Sequence, residues 1–175
     1  MLSYNEALEI IKTATYQLKK EIIEVNLLNS LNYVLSENVY ADTNQPLFDN
    51  SAVDGYAVKF DPNVREWELI GELPAGNYRE YSLTNSTTVN IMTGGKIPGD
   101  CTTVIPLEDV EITGERVKLK EGIEIRDGMN IRHLGENIRK GELAVSQNTL
   151  ISAHKISILA ACGKAKVIVF KWLKV

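Results

Sequence analysis

The feature that most constrains this fold is where helical periodicity occurs along the chain. Apolar residues recur at helical spacing only near the two ends, over residues 4–18 and 152–161. Between them, Pro, Gly, Asn and Asp interrupt short runs that are typical of strands. The end helices are too short to bury their apolar faces alone, so we expect the two ends of the chain to pack together. The sequence therefore predicts an α+β fold: an elongated, discontinuous α/β outer domain (1–43 and 142–170) with an inserted β-rich, barrel-like domain (44–141).

Local signals define several elements within this plan. Ser3 followed by Glu6 is a capping-box pattern, which predicts that the first helix begins there. Asn32 is expected to adopt a left-handed conformation after helical turns at 27–31, and Gly163 to follow the last helix. Strands are predicted over 21–25, 33–41, 56–59, 66–70, 88–92, 103–107 and 143–145, with a hairpin from 110–113 to 116–120 that turns at Gly114-Glu115.

Composition excludes several classes of function. The 175 residues carry a net charge of −4 with dispersed Lys and Arg, so nucleic acid is not an expected partner. The longest apolar runs fall far short of the roughly 20 residues that a membrane span needs. The N-terminus lacks the pattern of a secretory signal, and Cys101 and Cys162 are expected to be free thiols. We therefore expect a cytoplasmic protein with no membrane partner.

The most unusual stretch is 48–58, which is dense in oxygen-bearing side chains. A calcium-binding EF-hand loop that begins at Asp49 is excluded, because Val53, Asp54 and Phe60 occupy positions that need other residues. Asp49 and Asp54 could contribute to a magnesium or oxyanion site, since a hard cation needs only one or two carboxylates. Composition alone favours a solvated turn, and spacing does not distinguish metal binding from capping.

Two further stretches contain residues suited to binding anions. Gly94-Gly95-Lys96 follows a predicted strand, but a phosphate loop is excluded because Asn90 and Ile97 replace its required Gly and Ser/Thr. A turn with positive φ is favoured there, and exposed backbone N–H groups that bind an anion are the alternative. In the stretch 128–138, Arg132 and His133 lie near Glu136. No second His has metal-ligand spacing, so a surface feature is the simpler interpretation.

The order and spacing of these stretches resemble the molybdopterin molybdenumtransferase family, the MoeA enzymes and the gephyrin E domain. The family run Asp-Asn-Ser-x-x-Asp-Gly-Tyr-Ala is present at 49–57. Ala75-Gly76, Ile-Met-Thr-Gly at 91–94, the run from Asn130 to Glu136, and the helix with glycine at 156–163 also match. The resemblance covers essentially the whole chain.

This resemblance implies an enzyme that inserts molybdate into adenylylated molybdopterin with a divalent cation such as Mg²⁺, in molybdenum cofactor biosynthesis. It implies a homodimer formed through the outer domain. A pterin-binding domain would follow, entered along 167–175, with 171–175 as its start. The fragment alone is then expected to be inactive, because the active cleft would need that domain. The resemblance leaves open whether molybdenum or tungsten is handled, and which cation is used.

Carried over by position, the resemblance implies Asp54 as a catalytic and metal-binding residue and Thr93 as a second catalytic residue. Asp49, Asn50 and Ser51 would shape the substrate-binding loop. It further implies substrate-binding roles for Arg132, as a contact for an anionic ligand, and Glu136, as its support. Asn137 stands where many relatives have Asp, which puts any role that needs a carboxylate there in doubt.

Two other classes of function remain open at the level of sequence. The chain could be a stand-alone dimeric interaction or scaffold module, as relatives in the gephyrin group also act as scaffolds. It could also be a β-barrel binding module whose Asp-rich loop only caps strands. An encoded pterin-binding domain after Val175 would favour the enzyme, and a natural stop codon there would favour the scaffold.

Overall fold

The computed structural model describes residues 2–17, 20–76 and 79–172. The chain divides into two compact units, Met1–Asp42 with Gly141–Val175 (unit 1) and Thr43–Lys140 (unit 2). The boundaries expected from the sequence lie one residue further along, at 43/44 and 141/142. The described residues are mostly β, with two α-helices and a large sheet that curls into a half-barrel. None of the helices described is long and apolar enough to cross a membrane.

The elements follow the order that the sequence suggests. The helices are α1 (Tyr4–Gln17) and α2 (Ala153–Ala161). The strands are β1 (Ile22–Asn26), β2 (Val34–Leu35), β3 (Val39–Tyr40), β4 (Asn50–Ser51), β5 (Gly55–Val58), β6 (Glu66–Leu73), β7 (Thr87–Ile91), β8 (Thr103–Pro106), β9 (Val110–Thr113), β10 (Arg116–Leu119), β11 (Ile131–Arg132), β12 (Leu143–Val145) and β13 (Lys166–Phe170). Short 3₁₀ turns occupy Leu27–Asn29 and Leu107–Asp109.

The helix termini confirm the local predictions. The Glu6 carboxylate accepts a hydrogen bond from the Ser3 backbone N–H at 2.8 Å, and the Ser3 hydroxyl accepts one from the Glu6 N–H at 3.3 Å. The Ser152 hydroxyl likewise accepts the Lys155 N–H at the start of α2. Asn32 has φ 65° and Gly163 has φ 91°, as expected for residues that end helical turns. The predicted extension of α1 to Leu18 lies outside the described residues.

Unit 1 brings the two ends of the chain into one sheet with the order β1-β13-β2. Unit 1 combines helices and strands, and all its described strand pairs are antiparallel. The expectation of one strand over 33–41 was wrong. Leu35 pairs with β13 whereas Val39 pairs with β12, so the chain changes partner between β2 and β3.

The C-terminal strand lies in unit 1. The entry to a following domain was expected along 167–175 with its start at 171, and β13, which ends at Phe170, pairs along its whole length with β1. Val167 and Val169 are buried in the core of unit 1 together with Leu35 and Leu159. Residues through Phe170 therefore belong to unit 1, and residues 173–175 lie outside the described part of the chain.

Unit 2 is built on a six-stranded sheet with the order β8-β5-β7-β6-β10-β9. Its pairs are antiparallel except β6 and β7, which are parallel. The predicted hairpin forms between β9 and β10, and Gly114 at its turn has φ 62°. Two clusters of buried residues lie on this sheet, one around Tyr56 and Trp67 and one around Val89 and Ile91. Strand β5 is buried at every position. Its packing therefore fixes the position of the residues just before it.

Candidate functional site

The pairing of β5 with β7 brings Asp54 to Thr93. Gly55, the first residue of β5, lies opposite Ile91, the last residue of β7. Asp54 therefore meets the residues that follow β7, and its Oδ1 accepts hydrogen bonds from Thr93 N at 2.7 Å and Thr93 Oγ1 at 2.9 Å. Both residues are exposed. The two principal candidates of the sequence thus form a direct contact across 39 positions of the chain.

Two hydrogen bonds from Thr93 favour the ionised form of the Asp54 carboxyl. The Thr93 backbone N–H, and then the Thr93 hydroxyl, lower the pKa of Asp54 because both stabilise the negative charge. Only Oδ1 takes part in these bonds, and Oδ2 has no hydrogen-bond partner among the described residues. An exposed, oriented oxygen with negative charge can bind a cation or a hydrogen-bond donor on a substrate.

The glycine after Asp54 explains how the carboxylate is positioned. A Cβ atom on Gly55 would lie 2.1 Å from the carbonyl oxygen of Ile105 in β8. No side chain fits at that distance, so glycine lets β5 run closely between β7 and β8. Packing therefore requires the glycine of the Asp-Gly pair, and it holds Asp54 at the start of β5.

The turn after Thr93 decides between the two interpretations of the Gly-Gly pair. Gly94 has φ 79°, which confirms the turn with positive φ. Its N–H donates to the Ser51 carbonyl at 2.9 Å, and the Gly95 N–H donates to the Met92 carbonyl at 2.8 Å. Because both N–H groups are engaged within the chain, the alternative of an anion bound by these two groups was wrong.

Asp49 lies at the other end of the loop and binds a different segment. Its Oδ1 accepts the Leu134 backbone N–H at 2.6 Å, and its Oδ2 lies 3.3 Å from Nδ1 of His133. The Leu134 bond is the main reason that the pKa of Asp49 is lowered, with smaller contributions from His133. Asp49 therefore acts here as a capping residue for the turn that begins at His133.

Glu136 closes that same turn. Its carboxylate accepts the His133 N–H at 3.0 Å, and its own N–H donates to the His133 carbonyl at 3.0 Å. The Arg132 guanidinium has no hydrogen-bond or ion-pair partner in the described part of the chain. The expected contact between Glu136 and Arg132 therefore does not form, and Glu136 binds the His133 N–H instead. Asn137 is exposed, and its backbone N–H binds the Gln45 carbonyl.

Asn50 and Ser51 form the short strand β4, but their side chains have different surroundings. Ser51 is 1% exposed, and its hydroxyl donates to the Val53 carbonyl at 2.5 Å. Its role is therefore to shape the loop and not to contact a substrate. Asn50 is partly exposed and its Nδ2 makes only a 3.4 Å bond to the Phe48 carbonyl. Asn50 lies opposite Arg132 on one side and Lys96 on the other.

Lys96 is a residue that the sequence analysis did not select as a site residue. The local signal is the Gly-Gly-Lys run at 94–96, which fails as a phosphate loop. What places Lys96 beside Asn50 is strand register, which local sequence does not reveal.

Other reactive groups do not add to this site. Cys101 and Cys162 are buried free thiols, and desolvation raises the pKa of Cys101 to about 11. Neither is suited to act as a nucleophile at neutral pH. No group of three or more His, Cys, Asp or Glu side chains suitable for a metal ion occurs among residues 2–17, 20–76 and 79–172. A cation at Asp54 would therefore take most of its ligands from water or substrate.

Comparison with known proteins identifies relatives over most of the chain. Residues 2–163 match the family model of the MoeA N-terminal region, domains I and II. A molybdopterin molybdenumtransferase of Haemophilus influenzae is 31% identical over 153 residues, which cover 86% of this chain and 38% of that protein. Gephyrin of Dictyostelium discoideum is 29% identical over 178 residues, which cover 93% of this chain and 25% of gephyrin. The chain thus spans well under half the length of these relatives.

A solved structure shares the fold. The molybdopterin biosynthesis MoeA protein of Pyrococcus horikoshii OT3 superposes with a TM-score of 0.80 at 30% sequence identity. The match covers 85% of this chain and 41% of that one.

Proposed function

Because this chain belongs to the family of the MoeA N-terminal region, we propose that it is the N-terminal part of a molybdopterin molybdenumtransferase. Its relatives are named for that activity, which supports a role in molybdenum cofactor biosynthesis. The finer proposal is that the complete enzyme transfers molybdate into adenylylated molybdopterin. The observation that carries it is the Asp54 carboxylate, exposed and oriented by Thr93, with one oxygen uncommitted within the described chain.

The chemistry of this site fits a divalent cation such as Mg²⁺. Oxygen ligands are what a hard cation prefers, and Mg²⁺ commonly takes one or two carboxylates and fills its other positions with water or substrate oxygen. Asp54 would supply the carboxylate. The cation would supply positive charge to offset the negative charges of molybdate and of the substrate phosphates. Thr93 lowers the pKa of the Asp54 carboxyl and fixes its direction through two hydrogen bonds.

The neighbouring residues divide into two roles in this proposal. Arg132 and Asn50 are substrate contacts, since both have polar groups available at the surface. Asp49, Glu136 and Ser51 maintain the loops that carry them. This chain alone is expected not to complete the transfer, because it spans only 38% of the Haemophilus relative.

We also propose that the chain forms a homodimer through unit 1. Apolar side chains on α1 are exposed, among them Tyr4, Ile10, Ile11 and Tyr16. A second copy of the chain could cover such a surface. The same observation favours the second candidate function, a dimeric scaffold module without catalysis. A cytoplasmic location is part of both proposals and is supported by the free thiols.

The substitution Asp54→Asn tests the enzymatic proposal. Asn keeps an oxygen that can accept the Thr93 bonds but removes the negative charge that a cation needs. In a full-length enzyme that contains this chain, we expect molybdate insertion to fall about a hundredfold, as for the loss of a preorganised electrostatic contact. Activity is measured as molybdenum cofactor formed per folded molecule, and the melting temperature should stay nearly unchanged.

Asp127→Asn is the matched control, because the Asp127 carboxylate is exposed and has no partner in the described chain. It should leave insertion unchanged. If Asp54→Asn lowered the melting temperature but left the activity of the folded molecules intact, Asp54 would only cap the Thr93 turn. The enzymatic role of this carboxylate would then be wrong.

A further inference from the structure

Three residues from segments far apart in sequence form one row across unit 2. Asn50 in β4 lies opposite Arg132 in β11, and on its other side it forms a bridge with Lys96. Both pairings are antiparallel. Side chains directly opposite each other in antiparallel strands project from the same face. Lys96, Asn50 and Arg132 therefore share one face, with the amide in the middle.

The backbone bonds fix this register. Ile97 N donates to the Asp49 carbonyl at 2.9 Å, and Ser51 N donates to the Gly95 carbonyl at 3.0 Å. These bonds flank the pair Asn50–Lys96, which is thus a non-hydrogen-bonded pair, the type whose side chains lie closer together. On the other side of β4, Ala52 N donates to the Asn130 carbonyl at 2.9 Å, beside β11.

The adjacent row shows which way this face points. Ser51 lies opposite Ile131, and the alternation of strands puts both on the face opposite that of Asn50. Ser51 is buried, and Ile131 packs against the buried cluster that contains Ile91. The row of Lys96, Asn50 and Arg132 therefore faces outward, in agreement with the exposure of Lys96 and Arg132.

The charges of this row are not balanced within the described chain. Neither the Lys96 ammonium nor the Arg132 guanidinium has a hydrogen-bond or ion-pair partner there. Asp49 binds the Leu134 N–H and Glu136 binds the His133 N–H. Glu80 and Asp100 line a cavity together with Lys96, but neither carboxylate forms an ion pair with it in the described chain. Two strand spacings put the cationic residues about 10 Å apart at the backbone, a gap that their long side chains can close over Asn50.

We propose that Lys96, Asn50 and Arg132 bind a tetrahedral oxyanion. Lys supplies a point charge, Arg supplies a planar fork that suits oxyanions, and the Asn50 amide supplies a neutral donor between them. Molybdate and a phosphate group share this chemistry. This proposal rests on the proposed function only in expecting that molybdate or a phosphate group is the substrate. Binding of the oxyanion to this chain can be measured without the transfer reaction.

Binding of three probes to the 175-residue chain tests the proposal. Molybdate, inorganic phosphate and AMP are titrated separately by equilibrium dialysis, at low and at moderate ionic strength. We expect saturable binding that weakens as salt rises. Stronger binding of molybdate would identify the metal oxyanion as the ligand, and stronger binding of phosphate or AMP would identify the phosphate group.

Substitutions distinguish the row from general surface charge. Lys96→Gln and Arg132→Gln should each weaken binding about tenfold or more, as for the loss of a hydrogen bond to a charged group. Asn50→Asp should weaken it further, because it places a carboxylate between the cations. Lys118→Gln is the matched control, since Lys118 is an exposed strand residue of the same unit with no partner in the described chain. It removes the same charge and should leave binding unchanged.

The proposal would be overturned if none of the probes bound saturably, or if Lys118→Gln weakened binding as much as Lys96→Gln. These outcomes are independent of Asp54. Loss of insertion activity in Asp54→Asn together with absent oxyanion binding would leave the proposed function supported and the row wrong. If the oxyanion bound and Asp54→Asn kept full insertion activity, the row would be supported and the role proposed for Asp54 would be wrong.

Discussion

The two aspartates of the loop before β5 both accept backbone N–H groups, but they connect that loop to different segments. Asp54 binds Thr93, and Asp49 binds Leu134, so each carboxylate fixes one neighbour of β4. Asp54 has an oxygen left over within the described chain, whereas both oxygens of Asp49 are engaged. The residue suited to bind a ligand is therefore Asp54, and Asp49 is suited to hold the turn.

This difference predicts a pH dependence for Asp49. Its pKa is lowered in the folded chain, so its bond to Leu134 contributes stability that is present above the unfolded value of 3.8. That contribution is lost as the pH falls through the folded value. Asp49→Asn should therefore lose less stability than the unmodified chain when the pH is lowered from neutral to below 3.8. Urea unfolding at both pH values measures the difference.

Asp127→Asn serves again as the control, because that exposed carboxylate has no partner to lose in the described chain. Its loss of stability on acidification should match that of the unmodified chain. If Asp49→Asn behaved in the same way as this control, the Leu134 contact would carry no pH-dependent stability.

At the scale of elements, the packing of the central strand β5 depends on Gly55, its first residue. The strand has hydrogen-bonded neighbours on both sides, β7 and β8, and all four of its positions are buried. The close approach of Gly55 to the Ile105 carbonyl allows this packing. The same approach positions Asp54, so stability and the geometry of the site are linked at this point.

Gly55→Ala should consequently destabilise unit 2. The added Cβ would lie 2.1 Å from the Ile105 oxygen, and a backbone atom in a central strand has little room to move. We expect a loss of about 2 kcal/mol or more, as for other overpacked sites. Urea unfolding of the chain measures it.

Gly99→Ala is the matched control, because a Cβ there meets nothing within 4 Å. Its stability should stay within about 0.5 kcal/mol of the unmodified chain, as for most surface substitutions. Equal effects of the two substitutions would show that the contact at Gly55 is relieved at little cost.

At the scale of the whole molecule, each unit has its own core, and the exposed apolar surface of α1 is a property of unit 1. Ile11, on that helix, is 59% exposed. Covering such apolar groups with a partner lowers the free energy, because it removes apolar surface from water. This is the physical basis of the proposed homodimer.

Light scattering after size exclusion tests the dimer. We expect a mass of twice 19.5 kDa for the unmodified chain at tens of micromolar. Ile11→Glu should shift the equilibrium toward monomer, because it places a charge in the interface. Ile112→Glu, at a residue of unit 2 that is 53% exposed, should remain dimeric. A monomeric unmodified chain would contradict the proposal, as would dissociation by Ile112→Glu alone.

The sequence by itself determined the features that depend on neighbouring residues. The capping box at Ser3, the left-handed conformation of Asn32 and the hairpin turn at Gly114 all follow from local conformational preference. The motif at 49–57 made Asp54 a candidate through the family resemblance, and its role stays a prediction. The inferences about caps and turns succeeded because these are short-range properties, which residues a few positions apart decide.

Only the tertiary structure decided which distant segments meet. The division of 33–41 into two strands and the parallel pairing of β6 with β7 arise from packing partners far along the chain. The same is true of the contact between Asp54 and Thr93 and of the placement of Lys96 beside Asn50. Strand register reflects the sum of many long-range contacts, each small, and a shift of one residue would turn every side chain to the other face. That is why the local sequence could make Asp54 a candidate but could not place Lys96 beside Asn50.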